Sequence, residues 1–262
     1  MVITSKDNEF VKHVKKLKEK KYRDETEEYI IEGIKLIEEA FNENAKIKKI
    51  IICDDSNLEG DIYESIKYEI ASKECIYVSA KVFEYISDVK TPQGIMAIIE
   101  KNSKESEIKF DDDLILVLDN IQDPGNMGTI LRTADSLNLK QVIISKGSCD
   151  IYSPKVVRST MGAIFRIRII ESEDLVKTLK ELKKHKIKVV STALDTDKSM
   201  YDIDYKKTAI VIGNEANGVS KEIQELSDTR IRIPMIGKTE SLNASVATAV
   251  VLYEAMRNRL KK

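Results

Sequence analysis

Apolar positions in the first hundred residues follow two rhythms. After Asn8, Val11, Val14 and Leu17 recur at helical spacing while Lys12, Lys15, Lys16 and Lys18 fall largely off that stripe, which predicts an amphipathic basic helix capped by Asn8. Short apolar runs then alternate with helical stretches: EYIIEG, IKLIEEAFNEN, IKKIIICD, a helix near Asp61 to Ile70, CIYVS, a helix near Ala80 to Ile86, and GIMAIIEK. This order predicts a small α/β sandwich. Residues 101–113, KNSKESEIKFDDD, offer almost nothing to bury, so they predict a linker and a division of the chain into 1–105 and 106–262.

The second half opens on LILVLDN, a near-continuous apolar run of the kind found in a parallel strand covered on both faces. A helix from about Gly128 to Leu137 follows. Next come QVIIS, a helix near Pro154 to Met161, FRIRII, a helix from Asp174 to Lys184, IKVVSTAL, TAIVIGNE, RIRIPM and a final helix from about Asn243 to Leu260. Strand and helix alternate, which predicts a doubly wound, mainly parallel sheet with ligand loops at its carboxyl edge.

Composition narrows the function classes. With 42% hydrophobic and 33% charged residues, the 262-residue chain is neither collagen-like nor disordered. Its net charge of -1 gives no global pull on nucleic acid, yet the first 23 residues carry eight Lys or Arg against three Asp or Glu. Lys12, Lys15, Lys16, Lys20, Lys21 and Arg23 are therefore candidate RNA contacts, or else a solvated helix face. No signal-peptide core and no run of about 18 apolar residues is present, so no membrane association and a cytoplasmic location are expected. Isolated Cys53, Cys75 and Cys149, with two histidines, support neither a disulfide framework nor a metal cluster.

Three loops are dense in Gly, Asn, Pro and hydroxyl residues directly after apolar strands. In DNIQDPGNMGTILRTAD, Pro124 and Gly125 set a turn, Asn126 is placed to cap the next helix, and Arg132 projects about two turns further on, as a ligand group or a structural ion-pair partner. In AIVIGNEANGVS, Gly213 and Gly218 permit tight backbone paths around Glu215. In IRIPMIGKTESLNASVATAV, Pro234 and Gly237 shape a loop, and Ser241 or Asn243 leads into the last helix as its cap.

Taken in order, N-x-G-x-x-x-R-T-A from Asn126 to Ala134, I-G-N-E-x-x-G from Ile212 to Gly218, and I-P-M with S-L-N-x-S-V-A from Ile233 to Ala247 resemble the three signature motifs of the SpoU/TrmH family of RNA ribose methyltransferases. The stretch ITSKDNEFVKHVKKLKEKKYR with YIIEGIKLIEEA is similar to the substrate-binding domain of the subgroup that modifies ribosomal RNA.

The resemblance implies an L30e-like N-terminal α/β sandwich and a C-terminal SPOUT α/β domain with a trefoil knot that works as a homodimer. It implies S-adenosylmethionine as methyl donor, held near Thr192, Ala193 and Leu194, by Gly213, Asn214 and Gly218, and by Ile233, Met235 and Leu242. It gives Arg132 the place of the catalytic arginine, with Asn126, Glu215, Ser241 and Asn243 as polar residues around the reacting ribose, and no metal. Two roles stay open for Arg132: a perturbed proton acceptor, or a cation that polarises the hydroxyl while water takes the proton. Ribosomal RNA is favoured over transfer RNA as substrate. The alternatives are a knotted RNA-binding protein without catalysis and a doubly wound dehydrogenase, the latter opposed by the lack of G-x-G-x-x-G after any predicted strand. Val246, Val250 and Tyr253 on the final helix form either a dimer stripe or a core-facing one.

Overall fold

The β-branched runs become strands of two separate sheets, described by a computed structural model for residues 1–56, 58–101 and 107–260. Of the expected linker, residues 102–106 lie outside the described residues. The chain divides into Met1–Lys104 with Asp150–Phe165, and Glu105–Cys149 with Arg166–Lys262.

The first unit contains β1 (Val2–Ile3), α1 (Glu9–Lys16), α2 (Lys20–Thr26), β2 (Glu28–Glu32), α3 (Ile34–Asn42), β3 (Ile47–Cys53), α4 (Asp61–Ala71), β4 (Cys75–Val78), α5 (Ala80–Ile86) and β5 (Ile95–Glu100). Its sheet runs β1-β4-β3-β5-β2, with β4 parallel to β1 and β3, and β5 antiparallel to β3 and β2. Asn8 caps α1 by accepting from the Phe10 N–H at 2.9 Å. Val11, Val14 and Leu17 are fully buried against Val82, Phe83 and Ile86 of α5, so the apolar stripe faces the core and the lysines face outward.

The basic segment is two helices rather than one. The N–H of Leu17 closes α1 on the His13 carbonyl, and Leu17 itself turns into the core, so the chain restarts as α2 at Lys20. Arg23 departs from the expected basic surface. It is 2% exposed, donates from Nη1 to the Leu17 carbonyl at 2.7 Å, and forms an ion pair with Asp150 through Nη2 and, at 3.1 Å, through Nε.

That pair explains why a stretch expected in the second domain groups with the first. In residues 150–165, α7 (Pro154–Thr160) packs against β2, and the Tyr152 ring lies 4.8 Å from the buried Tyr29 ring. The short helix α8 (Ala163–Arg166) takes up the start of FRIRII, so that strand begins only at Arg168.

The second unit orders its strands β11-β9-β10-β6-β7-β8, all parallel: β6 (Leu114–Asp119), β7 (Gln141–Ser145), β8 (Arg168–Ser172), β9 (Lys188–Thr192), β10 (Thr208–Gly213) and β11 (Thr229–Ile231). Its helices are α6 (Pro124–Ser136), α9 (Leu175–Lys184), α10 (Lys221–Leu226) and α11 (Ala244–Leu260). Every residue of β6 and β10 is buried, as expected where helices cover both faces. On one face Val117, Val189 and Val211 meet Leu179 and Leu182 of α9 and Ile223 of α10. Elsewhere α11 packs on α6 and β10, burying Thr248, Val251, Leu252 and Ala255. Of the stripe Val246, Val250 and Tyr253, the first and last are 47% and 55% exposed and Val250 is half-buried, so the stripe does not face the core. Among the described residues no helix is long and apolar enough to cross a membrane.

Because Arg23 and Asp150 have side chains only 3% and 11% exposed, Arg23→Ala leaves a nearly buried carboxylate without its partner. A loss of about 3–5 kcal/mol in urea unfolding is expected. A loss below about 1 kcal/mol would show that 150–165 is held by packing alone.

Candidate active site

Three loops leave the carboxyl ends of β6, β10 and β11, and a chain of hydrogen bonds ties them together. α6 starts earlier than its sequence predicted: Asp123 is the cap, accepting from the Asn126 N–H at 2.8 Å, and Pro124 supplies the pre-set φ of the first turn. Asn126 is thus inside the helix rather than its cap, and its side chain is free for other work. Its Nδ2 donates to Glu215 Oε1 at 3.0 Å, while its Oδ1 accepts from Asn243 Nδ2 at 2.9 Å. Asn243 Oδ1 in turn accepts from the N–H and the hydroxyl of Ser245, at 2.9 and 2.7 Å, and so caps α11. Ser241 is exposed and does not take that capping role.

Glu215 is an anchor. Oε1 also accepts from the Asp123 N–H at 3.1 Å, and Oε2 from the Gln122 N–H at 3.1 Å. Burial pushes its carboxyl up. The Asn126 amide and the N–H groups of Gln122, Glu215 itself and Asp123 outweigh that, so it sits below the ordinary carboxylate range. With both oxygens occupied and its proton affinity lowered, Glu215 is unsuited to accept a proton from substrate.

The loop carrying Glu215 is a tight one. Asn214 and Gly218 exchange backbone hydrogen bonds at 3.0 and 2.9 Å, and Asn214 Oδ1 accepts from the N–H groups of Ala216 and Asn217. Gly218 has φ +68, and a Cβ on Gly213 would stand 2.1 Å from the Gly218 backbone, so no other residue fits at 213 without reshaping the loop. Asn214 Nδ2 also donates to the Asn120 carbonyl at 2.8 Å.

Beside this loop lies a cavity of about 360 Å³, within the usual range for a small-molecule site. Thr192, Ala193, Leu194, Gly213, Asn214, Gly218, Ile233, Met235 and Leu242 all line it, together with Glu215 and Ser241. Asp195, Glu240, Ala244 and Ala247 also line it, and sequence reading had not singled them out. Loop acids carry no distinguishing pattern. The wall combines apolar side chains from Ile212, Val219, Ile231 and Ile233 with the carboxylates of Asp195, Glu215 and Glu240. Such a set suits a ligand with a flat apolar ring and a cationic end, as an adenosyl group bearing a sulfonium and an ammonium has. Arg132, by contrast, is not in the wall. It is exposed on α6, and among the described residues no ion pair ties it down.

Two family models match the chain: the SpoU rRNA Methylase family over residues 113–253 and an MRM3-like substrate binding domain over residues 8–97. The chain belongs to the SpoU family. It is an S-adenosylmethionine-dependent RNA 2′-O-methyltransferase of that family. A 23S rRNA (guanosine(2553)-2′-O)-methyltransferase, RlmP, of Bacillus subtilis strain 168 is 33% identical over 252 residues, covering 96% of this chain and 97% of that protein. An AdoMet-bound rRNA methyltransferase from Sinorhizobium meliloti superposes with a TM-score of 0.86 at 30% identity, covering 98% of this chain and 97% of that one. The SpoU methyltransferase AviRb from Streptomyces viridochromogenes, in complex with AdoMet, gives 0.87 at 25% identity, covering 97% and 98%.

In this SpoU chain Asn126 is 8% exposed and bonded at both ends of its amide, so Asn126→Ala leaves Glu215 and Asn243 short of a partner each. A cost of about 1–3 kcal/mol in stability is expected, with weaker donor binding in a titration. A stable variant with unchanged donor affinity would show that the chain of bonds does not shape the cavity. Glu215→Gln carries a pH signature. A carboxyl lowered in the folded state stabilises above the ordinary carboxylate range and loses that contribution as pH falls through its lowered value. The stability gap between wild type and Glu215→Gln should therefore be widest near neutrality and close in acid, and a gap independent of pH would contradict the anchoring role.

Proposed function

We propose that this protein methylates a ribose 2′-hydroxyl of ribosomal RNA in the cytoplasm, acting as a homodimer. In this reading 1–105 is the RNA-binding domain and 106–262 the catalytic domain. The observation that carries the reading is the joining of three motif loops, through Glu215, Asn126 and Asn243, at the edge of one cavity. The match to an MRM3-like substrate binding domain and the relatives named for 23S and other ribosomal RNA support the ribosomal target.

Bound in this cavity, S-adenosylmethionine supplies an already activated methyl group, so little covalent help is needed from the protein. Apolar walls at Ile212, Ile233 and Leu242 would hold the adenine, and Asp195 and Glu240 the ammonium end. The protein's work is then alignment of the ribose oxygen with the methyl carbon and sulfur, and exclusion of competing water. Glu215 keeps the loop in shape and takes no proton.

Arg132 is the candidate for the group facing the ribose. Arg132 acts as a cation that orients and polarises the 2′-hydroxyl beside its phosphate, and solvent takes the proton. Its place outside the cavity wall supports completion of the site by a second subunit. The exposed stripe of Val246 and Tyr253 on α11, which itself packs on α6, is the proposed interface. Parallel β9, β10 and β11, whose following loops meet at the cavity, are compatible with the knotted C-terminus of the family.

Transfer of labelled methyl groups to unmodified ribosomal RNA should yield alkali-resistant dinucleotides. Arg132→Ala should lower the rate by about 100-fold or more. Mixing Arg132→Ala with Leu242→Arg protomers should then restore about a quarter of wild-type activity, since statistical pairing makes half the dimers mixed, each with one intact site. No recovery would place arginine and donor pocket in the same subunit. Labelling of transfer RNA alone would reassign the substrate, and binding of RNA without any labelling would favour a non-catalytic protein.

A further inference from the structure

The basic face of the first unit is largely neutralised from within. Lys12 is paired with Glu9 at 2.9 Å, Lys18 with Asp88 at 2.6 Å, Lys20 with Asp24 at 2.8 Å and Lys21 with Glu25 at 3.8 Å, while Arg23 is spent on Asp150. Each such carboxylate cancels charge that a polyanion would otherwise feel. Lys6 and Lys15 differ. Among the described residues neither has a carboxylate within ion-pair distance, which is true of Lys16 as well. But Lys16 lies singly over the Tyr22 ring at 5.6 Å, whereas the ammonium groups of Lys6 and Lys15 both lie over one ring, that of Tyr85, at 4.6 and 4.4 Å from its centroid.

Three segments distant in sequence build this place. Pairing of Val2 and Ile3 with Tyr77 and Val78 lays the N-terminus beside β4 and carries Lys6 toward α5. Packing of α1 on α5 brings Lys15 there, where its Nζ donates to the Tyr85 carbonyl at 2.6 Å. Lys18, one turn on, donates to the Ser87 carbonyl at 2.9 Å. The carbonyl contact holds the Lys15 stem without cancelling its charge, and Tyr85, 36% exposed, presents one ring to both Lys6 and Lys15. Crowding of the cations is visible in Lys15, whose ammonium is pushed below the ordinary lysine range by burial and by Lys18 and Lys6, against the opposing pull of Asp88. A phosphate beside it would relieve that repulsion.

We propose that Lys6 and Lys15, set around Tyr85, are the principal phosphate clamp for the RNA substrate. This rests on the RNA-binding reading of the first unit and replaces an even spread of contacts along Lys12 to Arg23 with one focal point. Lys6 and Tyr85 lie outside the stretch from Lys12 to Arg23 that sequence reading singles out, and only the fold brings them to it.

The test is binding of the full-length protein to in vitro transcribed, unmodified 23S ribosomal RNA across a salt series. Lys6→Gln with Lys15→Gln is compared with Lys35→Gln plus Lys46→Gln, a control that also removes two exposed charges, each paired with a glutamate. The clamp variant should lose roughly tenfold in affinity at low salt and flatten the log–log salt slope by about 1.4–1.8, the release expected for two phosphate contacts. The control should keep the wild-type slope, Lys6→Arg with Lys15→Arg should restore it, and donor affinity should be the same in all. Equal losses in clamp and control variants, or none in the clamp variant, overturn the proposal. If wild type binds only transfer RNA and the clamp variant alone weakens that, the clamp stands and the ribosomal target falls. Failure of wild type to bind either RNA overturns both.

Discussion

A carboxylate whose oxygens are both engaged by hydrogen bonds from separate segments fixes those segments to one another, and Glu215 is such a group. It reaches from the loop after β10 to the first N–H groups ahead of α6 and to the side chain of Asn126, which continues the line to Asn243 at the head of α11. Three stretches, the first of them 89 and 117 positions from the other two, thereby share one hydrogen-bonded seam, at the edge of a cavity lined from two of them. Partial positive charge at the start of α6 adds to the hold. Most of the cavity wall is loop, and the seam joins two of the segments that line it to the start of α6.

The catalytic half illustrates a division of labour between residues that look alike in a motif. Asn126 and Arg132 stand six positions apart on α6, yet one is 8% exposed and bonded on both sides while the other is exposed and unpaired among the described residues. Asn126 is satisfied internally, and Arg132 keeps its donors available.

Much of the architecture was legible in the sequence because it is written locally. LILVLD and TAIVIG are near-continuous apolar runs, which a strand covered on both faces needs, and the three loops announce themselves by Gly, Asn and Pro. Composition could not reveal Arg23's burial, since its partner Asp150 is 127 positions away and charge counting treats every arginine as solvated. The same distance hid the grouping of 150–165 with the first unit. The start of α6 was misplaced for a smaller reason: Asp123 and Asn126 are both good caps, and the choice between them turned on Pro124, which favours the first turn. Lys6 and Tyr85 were invisible as a pair because β1 and the packing of α1 on α5, not periodicity, bring them together.

The order of strands also has a consequence for synthesis. β6 lies between β7, which follows it closely, and β10, whose first residue is Thr208. While the ribosome is still making residues between Ser145 and Thr208, one flank of the all-buried Leu114–Asp119 segment has no partner, and an apolar edge of this kind is a template for pairing with other chains. A nascent chain stalled in that interval therefore carries its most aggregation-prone surface open, and delivery of β10 both closes the edge and brings in Glu215. Closure of that edge and arrival of Glu215 are a single late event in the life of the polypeptide, and β11 and Asn243 follow it.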